Sequence, residues 1–536
     1  MTTAPTIDLI PLTAVQAASG VTIQRSPESS PPTLFLPSRN VTVTESALKL
    51  FDLAAKSGRF FRRGHTVVRT GGNGTNAYLR AIDSNAACSD FETVGRLVTL
   101  KPNRTGQLIP QRDPMTITQA GQLLGCTDAV VQLPEIVGTS KVPILARTSQ
   151  GPQLCGYGYS RSLKLWITAD LKIPDVPQTE AVRSLRGLLS EFQFTTAGDE
   201  SRAFASLITP MLHFGDWLPG EPVPVDVAEA DQSQSGKTYR QKVVAAIYGA
   251  EPSYVNMKSR GVGGVDESIQ SVIYAGSPFI AIDNLKGKVD SEYLEQTITN
   301  TTGIHRVRLP GMKEVEVRAK FILMISSNKA EFSRDMANRS VITRVEKKIG
   351  YEFTRNPLAE IESNPGYFLG CVATVVRKWA EAGCPHTAGI DHDFRAWAGA
   401  MDWIVQNLAG LPPLLDGHRE AQARTADPIL GALRQLALAI EESGDLDKQL
   451  PASRLWEIAA DHEIQMPGVD TAPCDEAGRK DAIRRLGVKL GPVFRNEYSV
   501  TIDHFTIERL EDTIERDHHG PELRKFYRFT KGRAKT

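Results

Sequence analysis

Apolar residues recur along the chain at two spacings, and the change from one to the other marks out segments. From about 41 to 175, β-leaning runs such as HTVVRT and RLVTL alternate with segments such as ESALKLFDLAAK, whose apolar positions recur every three or four residues. Period-two runs predict strands and the 3.6 period predicts amphipathic helices, so this stretch reads as a small α+β domain. VPQTEAVRSLRGLLSEF and DESRAFASLITPMLHFGDW then predict a helical connector over 176–220. Residues 221–350 read as strand, glycine-containing turn, helix, strand, helix, hairpin and strand, the α/β pattern of a central parallel sheet covered by helices. GYFLGCVATVVRKWAEAG and FRAWAGAMDWIVQNLAG predict a helical segment over 351–427.

The last stretch, 428–536, places the helices DPILGALRQLALAIEESG, PASRLWEIAADH and GRKDAIRRLGVKLGPVF before the short strands YSVTI and KFYRFT. Helices followed by a two-stranded wing predict a winged-helix-like domain. Residues 1–40 are rich in Pro, Ser and Thr and predict a poorly ordered lead-in. The expected fold class is therefore multidomain α/β, and a chain of 536 residues is too long for one hydrophobic core.

Composition changes this picture little. With 62 basic and 62 acidic residues the chain carries no net charge, so any polyanion must be met by local patches. One such patch is the C-terminal run Arg524, Lys525, Arg528, Lys531, Arg533 and Lys535, although basic tails are often simply solvated. No stretch nears the roughly 20 apolar residues of a membrane span, and the N-terminus lacks a basic leader before an apolar run, so a cytoplasmic protein without membrane contact is expected. The six cysteines show no Cys-x-x-Cys pair or zinc spacing.

The chemistry concentrates in EPVPVDVAEADQSQSGKTYRQKVVAAIYG, where a strand-like run leads into a polar turn and then an amphipathic helix. Gln234, Ser235, Gly236, Lys237, Thr238 and Tyr239 stand at that helix start. Backbone N–H groups there point at an anion, Gly236 allows close approach, Lys237 reaches β/γ-phosphate oxygens and Thr238 holds Mg²⁺, so ATP with Mg²⁺ is the expected cofactor pair. Asp231 replaces the first glycine of the usual P-loop spacing, which makes the loop degenerate. SPFIAIDNL, about 45 residues on, predicts a buried strand delivering Asp283 to the same cation. KFILMISSN similarly ends in Asn328, and DMANRSVITRV sets Arg339 and Arg344 near a further strand.

Taken together, SGKT, AIDN, ISSN and DMANR resemble the ATPase of phage, plasmid and integrated-element replication proteins, the primase-helicase group within AAA+ and superfamily 3 helicases. The resemblance extends at the level of pattern over residues 50–420. It implies that Asn328 is the sensor that orients the attacking water and that Arg339 is an arginine finger reaching a neighbour's ATP, with Arg344 the runner-up finger or a second sensor. Such sites are completed in trans, which implies a ring, expected to be a hexamer. Arg339 also reads as an ordinary surface salt-bridge residue. Many AAA+ enzymes carry a glutamate after the Walker B aspartate, but here Asn284 follows and cannot take a proton. Glu267, with Asp266 behind it, is the candidate base; a solvated acid at a helix start is the plainer reading.

TITNTTGIHRVRLPGMKEVEVRAKF flanks a Leu-Pro-Gly turn with two β-leaning runs and resembles the pre-sensor hairpin of superfamily 3 helicases. That implies phosphate contacts on single-stranded DNA by His305, Arg306, Arg308 and Lys313, or else a solvated hairpin. Arg479, Lys480, Arg484, Arg485 and Lys489 of the last long helix are candidates for docking on duplex DNA, with a protein-docking module the alternative. No primase signature stands out, so a primase is either absent or supplied by another chain, with a separate primase or initiator a candidate partner at a replication fork. Three functions compete: an ATP-driven DNA helicase of a mobile element, a DNA-binding regulatory ATPase that uses nucleotide as an assembly switch, and a scaffold with a dead site.

Overall fold

The computed structural model describes residues 31–72, 78–230, 235–255, 264–288, 291–310, 314–348, 351, 353–426, 428–464, 466–472, 475–494, 498–502, 504–514 and 522–532. Two units emerge, one made of residues 1–57 with 83–132 and the other of 58–82 with 133–536. The stretch 41–175 thus contributes to both. In the first unit, Thr33–Phe35 pairs parallel with Arg96–Pro102, which pairs antiparallel with Leu108–Arg112. Its helix Val43–Lys56 starts at a capping box between Thr42 and Glu45 and buries Ala47, Leu50, Phe51 and Ala54.

The second unit opens with an antiparallel sheet of β1 (Phe60–Arg63), β2 (Thr66–Gly71) and β3 (Tyr78–Ala81). Its central module follows as β4 (Gln193–Phe194), α1 (Ala197–Phe214), β5 (Val225–Glu229), α2 (Lys237–Ile247), β6 (Ser253–Tyr254), α3 (Val265–Ala275), β7 (Phe279–Lys288) and α4 (Glu292–Thr299). The hairpin β8 (Ile304–Val307) and β9 (Val315–Arg318) comes next, then β10 (Ile322–Glu331), α5 (Arg334–Asn338) and β11 (Ser340–Glu346). The main sheet runs β4-β11-β5-β10-β7-β6, parallel at every pairing except the β4–β11 edge. Every residue of β5 is buried, as a strand covered on both faces must be. One face packs an apolar layer that includes Phe204, Ile208, Val243, Trp379 and Trp397, and the other packs Ile269, Ile273, Leu294 and Met336.

Helix α1 is more than a connector, because almost its whole length is buried against this module. It carries two charges into the core. Asp199 accepts from the Thr196 N–H in a capping box, from the Arg202 Nη2 at 2.7 Å and from the Arg344 N–H at 2.9 Å. Arg202 also donates to the carbonyls of Ile342, Leu414 and Asp416, each at 2.8 Å. Buried charges are tolerable in this way because partners replace the lost water.

Helices α6 (Pro365–Glu381) and α7 (Arg395–Asn407) cover the α1 face. The chain then forms α8 (Pro428–Glu442), β12 (Gln449–Pro451), α9 (Ala452–Asp461), α10 (Glu476–Leu490), β13 (Ser499–Ile502), β14 (Phe505–Ile514) and β15 (Glu522–Lys531). These strands form a sheet ordered β12-β15-β14-β13 over a separate apolar cluster that includes Leu436, Leu455, Leu486, Phe494 and Phe529. No described helix is long and apolar enough to cross a membrane.

Asp199→Ala strips Arg202 of its counter-charge in the core and should cost about 3–5 kcal/mol, the usual penalty for breaking a buried ion pair. The check is a lower urea midpoint than wild type for unfolding of the central module.

Candidate phosphate and metal site

Parallel strands deliver their C-terminal ends to one edge of the sheet, and a ligand meets the protein there. Strand β10 lies between β5 and β7, so its polar end, Ser326-Ser327-Asn328, falls between the end of β5 and the carboxylate of β7. Gly236 caps α2 with φ 92°, a left-handed conformation that suits glycine, and its lack of a side chain leaves the first-turn N–H groups facing outward. The helix is fixed one turn further in. Arg240 pairs with Asp226 of β5 at 2.6 Å and donates to the Ser206 hydroxyl at 2.8 Å, while the Gln241 amide donates to the carbonyls of Asp226 and Ile325, both at 3.0 Å.

With α2 so held, Lys237 and Thr238 meet the ends of β10 and β7. The buried Lys237 ammonium donates to the Asn328 Oδ1 and lies 3.5 Å from the Ser235 hydroxyl. The Thr238 hydroxyl donates to the Asp283 Oδ1 at 2.7 Å. Strand β7 does not stop at Asp283: Asp283 and Asn284 together oppose the single residue Ser326, and pairing resumes with Leu285 opposite Ser327. This is a β-bulge, which turns a side chain off the sheet. Ser326 spans it, donating to the Asp283 Oδ1 at 2.5 Å and accepting from the Asn284 N–H at 2.9 Å. Asn284 takes φ 52°, and Asn tolerates that region better than most side chains, which accounts for the residue found after the aspartate.

Thr238 and Asp283 are the groups available to a divalent cation. Among the described residues no group of three His, Cys, Asp or Glu side chains could hold a metal. That donor set fits Mg²⁺, which usually takes one or two protein oxygens and completes its shell with water and substrate phosphate. Gln234 and Asp231 lie outside the described residues.

Sequence reading missed four residues around this edge. Ser326 gave no signal, because nothing in ISSN marks a bulge on the neighbouring strand. The Phe192 ring lies against Gly236, where an added Cβ would meet it at 3.1 Å, and its centroid is 6.3 Å from that of Tyr239. Tyr239 also donates to the Asn356 Oδ1 at 2.8 Å. Tyr254, at the end of β6, has its phenol pushed up by burial and by the Asp283 charge. Glu229, the buried last residue of β5, has the Arg434 guanidinium of α8 at 3.9 Å.

The other expected residues are spread more widely. Asp266 and Glu267 stand in the first turn of α3, and Asp266 accepts from the Ser291 hydroxyl at 2.5 Å. Arg339 caps the C-terminus of α5, partly exposed and 4.0 Å from the Asp393 carboxylate. Arg344, the runner-up finger or second sensor, is 3% exposed, with its guanidinium 3.8 Å from Asp199.

In the hairpin, side chains alternate as strand geometry requires. Arg306 and Arg308 are exposed, and Arg306 pairs with Glu316 at 3.2 Å. His305, also expected at the phosphate backbone, points inward and is buried against the Phe321 ring. Burial, with the nearby Arg63 charge, pushes its imidazole down to about 4. Lys313 lies outside the described residues.

No protein-family model matches the chain, and no curated protein matches its sequence. Among solved structures, one titled "The A form apo structure of NrS-1 C terminal region-CTR" aligns over 91% of this chain and 99% of its own, at 12% identity and a TM-score of 0.38. Another, titled "SCCmec type IV Cch - active helicase", aligns over 87% and 90% at 9% identity and a TM-score of 0.29. These scores are too low to carry an argument, so the chemistry rests on the geometry above.

Two outcomes follow from that geometry. Ser326→Ala removes the hydroxyl that orients Asp283, and Mg²⁺ affinity in a fluorescent-nucleotide titration should fall about 10- to 100-fold, the usual effect of losing such support. Because the folded imidazole of His305 titrates near 4 and the ordinary value is 6.5, only the unfolded state gains its proton between those values. Stability should therefore be flat above about pH 6.5 and decline toward pH 4 by up to about 3 kcal/mol. His305→Gln should flatten that slope in hydrogen exchange of the hairpin.

Proposed function

We propose that this chain is an ATP-dependent DNA helicase of a mobile genetic element, working as a cytoplasmic ring, expected to be a hexamer, on single-stranded DNA at a replication fork. The observation that carries the proposal is the convergence of Lys237 with Asn328, and of Thr238 with Asp283, on one edge of a parallel sheet. A triphosphate whose β/γ oxygens lie against Lys237 and the α2 N-terminus would share its Mg²⁺ with Thr238 and Asp283. The Phe192 and Tyr239 rings offer a wall for the nucleoside. Asn328, one hydrogen bond from Lys237, would orient the attacking water. Glu267 is the proposed base, since α3 runs back across the sheet between parallel strands and so begins at the edge that carries Asp283.

Arg339 supports completion of the site in trans. It precedes Ser340, the partner of Val225 at the start of β5, whereas the phosphate loop follows Glu229 at the other end. It thus sits away from its own phosphate loop and is offered to a neighbour's. Arg306 and Arg308 of the hairpin would contact the DNA backbone. The order α8, β12, α9, α10 and the β14–β15 pair, with Lys480, Arg484 and Arg485 on α10, supports a winged-helix-like domain docking on duplex, with a separate primase or initiator as partner.

One observation favours the second reading, a regulatory ATPase that binds nucleotide as an assembly switch. Asn284 occupies the place where a base would follow Asp283, and its backbone conformation suits Asn better than Glu.

Wild type should hydrolyse ATP faster with single-stranded DNA and unwind a forked duplex, while Lys237→Ala does neither. ATP turnover that never displaces a strand, with or without loaders, rejects the helicase reading in favour of the switch. Arg339→Ala should lower kcat about 10³-fold or more at nearly unchanged KM. Mixing it with Lys237→Ala subunits should restore part of the activity, because each lends the other the missing half-site; no recovery on mixing rules out a finger acting in trans.

A further inference from the structure

Helix α3 is gripped at both ends. At its C-terminus, where a helix dipole favours a cation, Arg63 of β1 donates to the carbonyls of Ile273, at 3.1 Å, and Tyr274, and it is 3% exposed. The same guanidinium donates to the Val137 carbonyl at 3.5 Å. At the other end α3 is tied to α4. Ser291, the N-cap of α4, accepts from the Leu294 N–H at 3.0 Å and donates to the Asp266 carboxylate at 2.5 Å. Asp266 adjoins Glu267, the proposed base, in the first turn of α3.

Both helices also hold the hairpin, and they hold it by its main chain. The Gln270 Oε1, one turn along α3, accepts from the Arg308 N–H at 2.6 Å, and the Tyr293 phenol in the first turn of α4 donates to the Arg306 carbonyl at 2.9 Å. Burial and the Asp266 charge push that phenol up to about 12, so it keeps the proton it donates. Ile269, Ile273, Leu294, Ile298, Val307 and Val317 share one apolar cluster, and a close-packed interior passes a displacement on rather than absorbing it. The two residues held by their backbone, Arg306 and Arg308, are those whose side chains are exposed on β8 and just beyond it. A shift of either helix therefore moves the stems of both guanidiniums.

We propose that Gln270 and Tyr293 are positioning residues that link the nucleotide site to the hairpin, the pair α3–α4 shifting about the end that Arg63 clamps. The proposal rests on the reading of the chain as an ATP-driven motor on single strands, and it names the side chains through which one site would feel the other. Linkage of this kind is reciprocal: a strand bound at Arg306 and Arg308 changes the affinity for nucleotide by the same factor as nucleotide changes the affinity for the strand.

The test is fluorescence anisotropy of a labelled dT oligomer with and without a non-hydrolysable ATP analogue, beside ATP turnover with and without the same oligomer. In wild type the analogue should change the oligomer Kd by about tenfold, within the usual range of coupling between two sites. In Gln270→Leu/Tyr293→Phe that change should shrink to about twofold or less and stimulation of turnover by the oligomer should vanish, while turnover without DNA and oligomer affinity without nucleotide stay as in wild type. Gln270→Glu, which still offers an oxygen to the Arg308 N–H, should keep the linkage. Melting temperatures matching wild type establish that the variants are folded. If wild type shows the linkage and the folded double variant keeps it, the proposal is overturned and the motor reading stands. The same holds if the double variant loses affinity for the oligomer or the analogue outright, because the two contacts then only build the sites. If wild type neither hydrolyses ATP nor binds the oligomer, both readings are overturned.

Discussion

A parallel sheet gathers the ends of its strands along one edge, and in this protein the order of three strands decides what can meet there. Because β10 lies between β5 and β7, its hydroxyl and amide side chains stand between a helix that offers an ammonium group and a strand that offers a carboxylate. The contacts of Lys237 with Asn328 and of Asp283 with Ser326 both follow from that interposition. Had β5 and β7 been neighbours, the lysine and the aspartate would face each other directly, and a salt bridge between them would compete with the ligand.

The convergence at this edge is legible in the sequence because a phosphate site of the kind proposed would use residues with few substitutes. Only a glycine at a left-handed cap, a lysine one step into the helix and a hydroxyl after it serve the purpose, so SGKT could be read from residue types alone. AIDN and ISSN were legible as buried strands with polar ends because both faces of a central strand must be apolar. The details that escaped arise from pairing between distant segments. A bulge is a property of two strands together, and no local pattern reveals that Asp283 and Asn284 oppose one residue. Nor could it reveal that β7 and β10 continue past their polar residues to Lys288 and Glu331.

The burial of two charged or titratable residues depends on distant segments in a related way. His305 and Arg344 look like surface groups in a one-dimensional reading, since their types are usually exposed. The hairpin alternation turns His305 toward Phe321, and Asp199, 145 residues earlier in the chain, draws Arg344 inward. The small sheet of residues 60–81 was grouped with its sequence neighbours, whereas Arg63 anchors it some 210 positions away, on the end of α3. In each case a long-range polar contact outweighed the local pattern, as expected where burying a charge without a partner is so unfavourable.

The contact between Glu229 and Arg434 carries an implication for how the protein can be divided. The carboxylate closes the strand that leads toward the proposed phosphate site, and the guanidinium belongs to the first helix of the C-terminal sheet domain; both are buried. Ending the chain before residue 428 would take a cationic neighbour away from an interior acid at the end of β5. The C-terminal domain is thus no freely removable accessory, and a fragment without it would differ from the full chain at the end of β5, beside the proposed nucleotide site, as well as in its length.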